Sequence, residues 1–344
     1  MKKKTKKTKL KIKNIFIFII IICIIICLIL FIPKHKEIKK EISKLETLGY
    51  NTTEINKLNK LSKEELNIIE KNEYNKNLVD IISSKSYKKN NLKLYLKYIG
   101  NEVNDDVISF INEKYYINDF LDRYLSYKEK NKDLSYKEIV KRVNSNLDFK
   151  FYDDSKEADT SKGMYTLVNK YYYLDKNYVP DDLVDVEKEY ARDSAKINKT
   201  AYENFKKMAD EAKKEGLTLL ITTAYRNYNF QATLYNNYVR QDGKEQADTY
   251  SARPGYSEHQ LGYSADLTNK ERVSFGEFKN TKEFAWLKDN AYKYGFIIRY
   301  TEANQYITGY VPESWHYRYV GNDIAKYIYE NNITYEEYYA YFLR

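Results

Sequence analysis

Cysteine is nearly absent from this chain: of 344 residues only Cys23 and Cys27 carry a thiol, and both lie inside one apolar run. A disulfide framework for the remainder is excluded, so folded regions there must be held by their apolar cores. Histidine is scarce too, with His35, His259 and His316 the only three, which confines imidazole chemistry to very few places. Proline (4) and glycine (11) are also few, while hydrophobic residues make up 43% and aromatics 16%. That balance argues against a disordered or fibrous protein even though the mean hydropathy is -0.73. The 38 tyrosines reconcile the two, because tyrosine buries apolar area yet scores as polar. The length suits about two domains of roughly 100–200 residues.

Acidic residues are in deficit only before residue 160, where 33 lysines and arginines stand against 23 acidic residues, with eight lysines between Lys2 and Lys13; the net charge of the whole chain is +9. A nucleic-acid footprint needs a basic face on a folded domain, with stacking aromatics or a reading helix. Nothing requires one, and no nucleic-acid partner is expected. The basic tail, residues 1–14, leads into residues 15–32, which are all apolar apart from the two cysteines. Such a run is about long enough to cross a ~30 Å hydrocarbon layer as a helix. It exceeds the ~7–15 residues of a signal-peptide core, and no A-x-A-like site follows it. Lipid attachment at Cys23 is disfavoured because Ile22 stands where a small residue is wanted. The positive-inside bias then predicts a single-pass cell-membrane protein, with the N-terminus cytoplasmic and everything after Pro33 extracellular.

Residues 33–159 read as short helices rich in Lys, Asn and Glu, a spacer or wall-associated region. Ser62-x-x-Glu65 and Ser135-x-x-Glu138 have the form of capping boxes. Gly49 and Gly100 open similar stretches about fifty residues apart, hinting at a degenerate helical repeat. Residues 160–344 are organised differently. Thr200-x-x-Glu203 predicts a helix start, Ala201, Phe205, Met208, Ala209 and Ala212 its buried face, and Gly216 its end. Strands are expected at 217–223, 263–267, 296–300 and 317–320, with a helix through Phe284, Leu287 and Ala291 closing at Gly295. Helices interrupting short strands in this order favour an α+β fold.

His35 borders the apolar run and is a bystander. His259 and His316 sit beside carboxylates, in Ser257-Glu258-His259 through Ser264-Ala265-Asp266 and in Glu313-Ser314-Trp315-His316. A hydrolytic zinc site takes three protein ligands and leaves one position open, and His259, Asp266 and His316 could supply them. On a strand, Ser264 and Asp266 would share one face. Glu313, three before His316, would stay near it if the segment is a helical turn, and could take and return a proton. Spacing alone leaves open the plainer reading of surface contacts and a turn aspartate.

The ordered set Ser257, His259, Gly262, Ala265 and Asp266, followed by Glu313, Trp315 and His316, resembles the zinc D-alanyl-D-alanine carboxypeptidases of the VanY type (peptidase family M15B) and the related L,D-carboxypeptidases. Leu167-Val168-Asn169-Lys170, Ala224-Tyr225-Arg226 and Ala252-Arg253-Pro254-Gly255 extend the likeness from about Met164 to Val320. The resemblance implies a compact α+β zinc-peptidase domain with an antiparallel sheet flanked by helices. It implies that His259, Asp266 and His316 bind Zn2+, that Glu313 is the catalytic base, and that Arg226 and Ser257 hold the substrate, with Gln231 a further pocket residue. Asn227 stands where relatives commonly carry Ser. The implied activity is removal of the C-terminal D-alanine from peptidoglycan stem peptides. A peptidoglycan endopeptidase of the same zinc family is the alternative, as is a non-catalytic wall-binding protein, although no ligand or base is missing.

Overall fold

The computed structural model describes residues 44–100 and 104–344. By contact the chain divides into two compact units, Met1–Glu113 and Lys114–Arg344. The described part of the first is helical: Thr52–Leu58, Lys63–Ile69, Lys76–Ser83, Leu92–Tyr98 and Asp105–Ile111. Four of the five starts are fixed locally by a side-chain cap, Leu92–Tyr98 being the exception. Asn51 and Ser62 form reciprocal capping boxes with Glu54 and Glu65, and Asn75 and Asn104 cap the next starts. Ile55, Leu58, Leu66 and Ile69 supply the buried faces. A local pairing recurs more closely than Gly49 and Gly100 suggest. The Lys88 N–H donates to the Tyr95 hydroxyl at 3.2 Å, and in the second unit the Ile117 N–H donates to the Tyr124 hydroxyl at 3.2 Å.

The second unit begins at Lys114, earlier than residue 160, so the helices Leu121–Lys130 and Tyr136–Asn144 belong to it. Two short pairs follow, β1 (Lys156–Glu157) parallel to β2 (Tyr172–Tyr173) and β3 (Leu183–Asp185) antiparallel to β4 (Lys196–Asn198). The main sheet has four antiparallel strands, β5 (Leu220–Thr223), β6 (Ser264–Thr268), β7 (Phe296–Tyr300) and β8 (Glu313–Tyr319), in the order β5-β6-β8-β7. Helices before and between these strands make the unit α+β.

Strand parity divides the sheet into an apolar and an ionic face. Ala265 and Leu267 of β6, Phe296 and Ile298 of β7, and Tyr317 and Tyr319 of β8 pack with Phe205, Met208, Ala209 and Ala212 of the Lys199–Lys214 helix. Burying Phe205 completely contributes roughly 1.5–3 kcal/mol. The alternate residues, Asp266, Arg299, His316 and Arg318, point the other way and are buried as well. The functional chemistry sits on that second face.

Three expectations are corrected. Among the described residues no helix is long and apolar enough to cross a membrane. The longest, Lys199–Lys214, has 16 residues and a lysine-rich, solvent-facing side, so its one apolar stripe serves the sheet. The single-pass membrane protein, and with it the cell-membrane localisation with an extracellular catalytic domain, therefore does not stand. Residues 15–32, which prompted it, lie outside the described residues. The Lys199–Lys214 helix is capped by Asn198, whose side chain accepts from the Thr200 and Ala201 N–H groups, rather than by Thr200. Glu313 and His316 lie on strand β8 rather than on a helical turn.

Candidate active site

His259 is delivered by a single 3-10 turn, Glu258–Leu261, that ends at Gly262 in the left-handed conformation with φ 75°. A Cβ at Gly262 would meet Leu183 Cδ2 at 3.0 Å and Pro180 Cγ at 3.1 Å, so both backbone and space demand glycine. The chain then enters β6, where Asp266 stands directly across from His316 of β8. A register shift between Ile298 and Tyr300, against β8, absorbs extra residues. That bulge lets Glu313, at odd spacing from His316, face the same cleft.

The three expected ligands converge. Ligand atoms of His259, Asp266 and His316 all lie within 4.8 Å of one another, and all three residues are buried. Asp266 Oδ1 is 2.9 Å from His316 Nδ1 and 3.3 Å from His259 Nε2. The outward nitrogens are occupied by acceptors: His259 Nδ1 lies 2.6 Å from the Ala224 carbonyl, and His316 Nε2 lies 3.4 Å from Glu258 Oε2. Each ring thereby turns its other nitrogen toward Asp266. Two imidazoles and a carboxylate, so oriented on the floor of a cleft of about 370 Å³, fit the three-ligand set of a catalytic zinc.

Electrostatics separate the groups. Burial, reinforced by Arg226, pushes His259 down to about 4 and keeps it a neutral ligand. Burial opposes a proton on His316, yet its bonds to Asp266 and Glu258 lift it to about 9. Burial would raise Asp266, but the two histidines hold it well below the usual carboxylate range. Glu313 behaves oppositely. Burial pushes it up to about 8, with His316 opposing and Asp266 adding. A carboxyl poised near neutrality can both take and return a proton.

Arg226 lies on the cleft wall, its Nη1 donating to Asp266 Oδ2 at 3.2 Å and its Nε to Gln231 Oε1 at 3.3 Å. Gln231 is buried and also donates to the Ala252 carbonyl at 2.8 Å, so it braces the arginine as well as lining the cleft. Ser257 lines the cleft beside them. Asn227 caps the Tyr228–Asp242 helix by accepting from the Phe230 N–H at 2.8 Å. A serine would do the same, which accounts for the exchange at that position. Beyond these, Phe275 and Trp315 stack at 5.2 Å and form part of the cleft wall.

Sequence reading assigned no role to Glu258, Arg299, Arg318 and Glu336. These sit in four segments distant in sequence, a turn, two strands and a helix, and only the folded sheet brings them together. The sole signal was Glu258 standing beside a candidate ligand.

Residues 194–322 match the VanY family, described as D-alanyl-D-alanine carboxypeptidase. Putative carboxypeptidase YodJ of Bacillus subtilis (strain 168) is 40% identical over 205 residues, covering 56% of this chain and 75% of that protein. A D-alanyl-D-alanine carboxypeptidase of Enterococcus faecalis (strain ATCC 700802 / V583) is 31% identical over 191 residues, covering 53% of this chain and 68% of the relative. Among solved structures, the LdcB LD-carboxypeptidase superposes with a TM-score of 0.52 at 39% identity, covering 55% of this chain and 91% of that one. Family match, curated relative and ligand geometry agree, and the chain belongs to the VanY family of D-alanyl-D-alanine carboxypeptidases.

Proposed function

We propose that this chain is a zinc carboxypeptidase that removes the C-terminal D-alanine from peptidoglycan stem peptides. The observation that carries the reading is the convergence of His259, Asp266 and His316 within 4.8 Å in a cleft that also presents Glu313 and Arg226. Zinc held by those three residues supplies Lewis-acid polarisation of the scissile carbonyl and acidifies a water molecule.

The chain's own residues do the rest. Arg226 pairs with the free carboxylate of the substrate, and its fork offers charge-assisted hydrogen bonds that a point charge cannot match. Gln231 keeps that fork in place through Nε. Ser257, which lines the same cleft, adds a polar contact to the bound terminus. Glu313 accepts the proton of the attacking water and returns it to the amine of the departing D-alanine. Its buried position, which holds the carboxyl near neutrality, suits both transfers.

The test is mass spectrometry of muropeptides incubated with the purified zinc-loaded chain. Loss of a single terminal alanine from the stem peptide is the expected product. Cleavage within the stem or between cross-linked stems, with the terminal alanine retained, would replace this assignment with the endopeptidase.

A further inference from the structure

Glu258 sits next to a ligand in sequence, yet its carboxylate addresses the other histidine. It is 2% exposed; Oε2 lies 3.4 Å from His316 Nε2, while Oε1 accepts from Arg299 Nε at 2.8 Å and lies 3.3 Å from Arg318 Nη1. Arg299 is held in turn by Glu336, through Nη1 at 3.0 Å and Nη2 at 2.5 Å. Asn169, from the Leu167–Lys170 segment, donates to the same Glu336 at 3.2 Å. Four buried charges thus form a closed set, two guanidiniums against two carboxylates.

We propose that Glu258, braced by the Arg299–Glu336 pair, is the positioning residue that fixes the ring of His316, keeping the proton on Nε2 and presenting Nδ1 to the metal. The inference rests on the zinc reading above and deepens it. Its first ground is geometric: His316 Nδ1 is the nitrogen that faces Asp266, which also faces His259 Nε2, so a shared ion can lie only on that edge. The second is charge. Two guanidiniums, Arg299 and Arg318, stand against two carboxylates, Glu258 and Glu336, so Glu258 is held in place as the acceptor facing the Nε2 edge of His316. The third is rigidity. Arg299 on β7 and Arg318 on β8 are fully buried, so the carboxylate that aims the ring is itself fixed from two strands. His259 reaches the same end more simply, with the Ala224 carbonyl as its outer acceptor.

The chain's scarcity of histidine makes the test direct. In the 15N-labelled, tag-free, zinc-loaded full chain, long-range 1H–15N correlation reports which nitrogen of each of the three histidines carries a proton. His316 is expected to be protonated on Nε2 with Nδ1 shifted by metal, and His259 the reverse. In Glu258→Gln, zinc dissociation measured by chelator competition should rise roughly 10- to 100-fold, with a changed visible spectrum after cobalt substitution. Glu336→Gln, which loosens the brace without touching His316, should give a smaller change in the same direction. His316 protonated on Nδ1 in the native protein would overturn the proposal even if no variant folds. So would an unchanged zinc constant and cobalt spectrum in folded Glu258→Gln, because a residue that merely supports the fold would leave both intact. Failure of the native chain to take up zinc would overturn the zinc reading, and this inference with it.

Discussion

Arg226 divides its guanidinium between Gln231 at 3.3 Å and Asp266 at 3.2 Å while lying on the cleft wall. If it also reads the substrate's terminal carboxylate, a peptide ending in D-Ala-D-Ala should react faster than its C-terminal amide. A lost charge-assisted contact of about 1.5–3 kcal/mol corresponds to roughly a ten- to hundredfold penalty in kcat/KM. Arg226→Ala should remove most of that difference, since neither substrate then has the partner, and steady-state kinetics on the acid and amide pair reads it. The next residue, Asn227, caps a helix and makes a separate prediction. Asn227→Ser should leave Tm nearly unchanged because serine caps equally well, whereas Asn227→Ala should cost about 1 kcal/mol in thermal unfolding.

At the scale of elements, the turn that carries His259 depends on Gly262. Its φ of 75° and the 3.0 Å approach of Leu183 leave no room for a side chain. Gly262→Ala should therefore lower Tm and weaken zinc binding together, because strain there of about 1–3 kcal/mol displaces the turn. Calorimetry with and without zinc separates the two losses. Lys170 makes a pH-dependent prediction. Its Nζ donates to the Asp248 and Gly309 carbonyls at 2.7 Å each, and burial lowers it from 10.5 to about 8. Between those values the unfolded chain holds the proton that the folded chain has lost, so stability rises with pH. Native protein should gain stability relative to Lys170→Met across that window, as read by denaturant titrations at pH 7.5 and about 10.

Much of this scale was legible in advance. Ala201, Phe205, Met208 and Ala212 marked the buried face of a helix because periodicity survives any tertiary context, and 296–300 emerged as a strand within its expected bounds. What escaped depended on partners distant in sequence. Asn198 displaced Thr200 as the cap because β4 delivers it to the helix start. Glu313 required a β-bulge to face the cleft, and a bulge leaves no mark in residue spacing. Glu258 acquires its partners only when β7 and β8 lie side by side.

On the scale of the molecule, the catalytic unit separates two kinds of burial on one sheet. One face is apolar and packs on the Lys199–Lys214 helix; the other is ionic and carries the ligands. The second arrangement is costly unless every charge is paired, and the network from Asn169 to His316 meets that condition while leaving Glu313 at the cleft with its carboxyl raised to about 8. In the proposed mechanism, binding the metal and moving the proton belong to different residues. Paired elemental analysis and D-alanine release for Glu313→Gln, against the native chain and His316→Ala, separate the two roles. Zinc is expected at the native ratio in Glu313→Gln with turnover reduced by roughly 10²–10⁴, and both zinc and turnover lost in His316→Ala. Native-rate release of D-alanine by zinc-replete Glu313→Gln would contradict that mechanism.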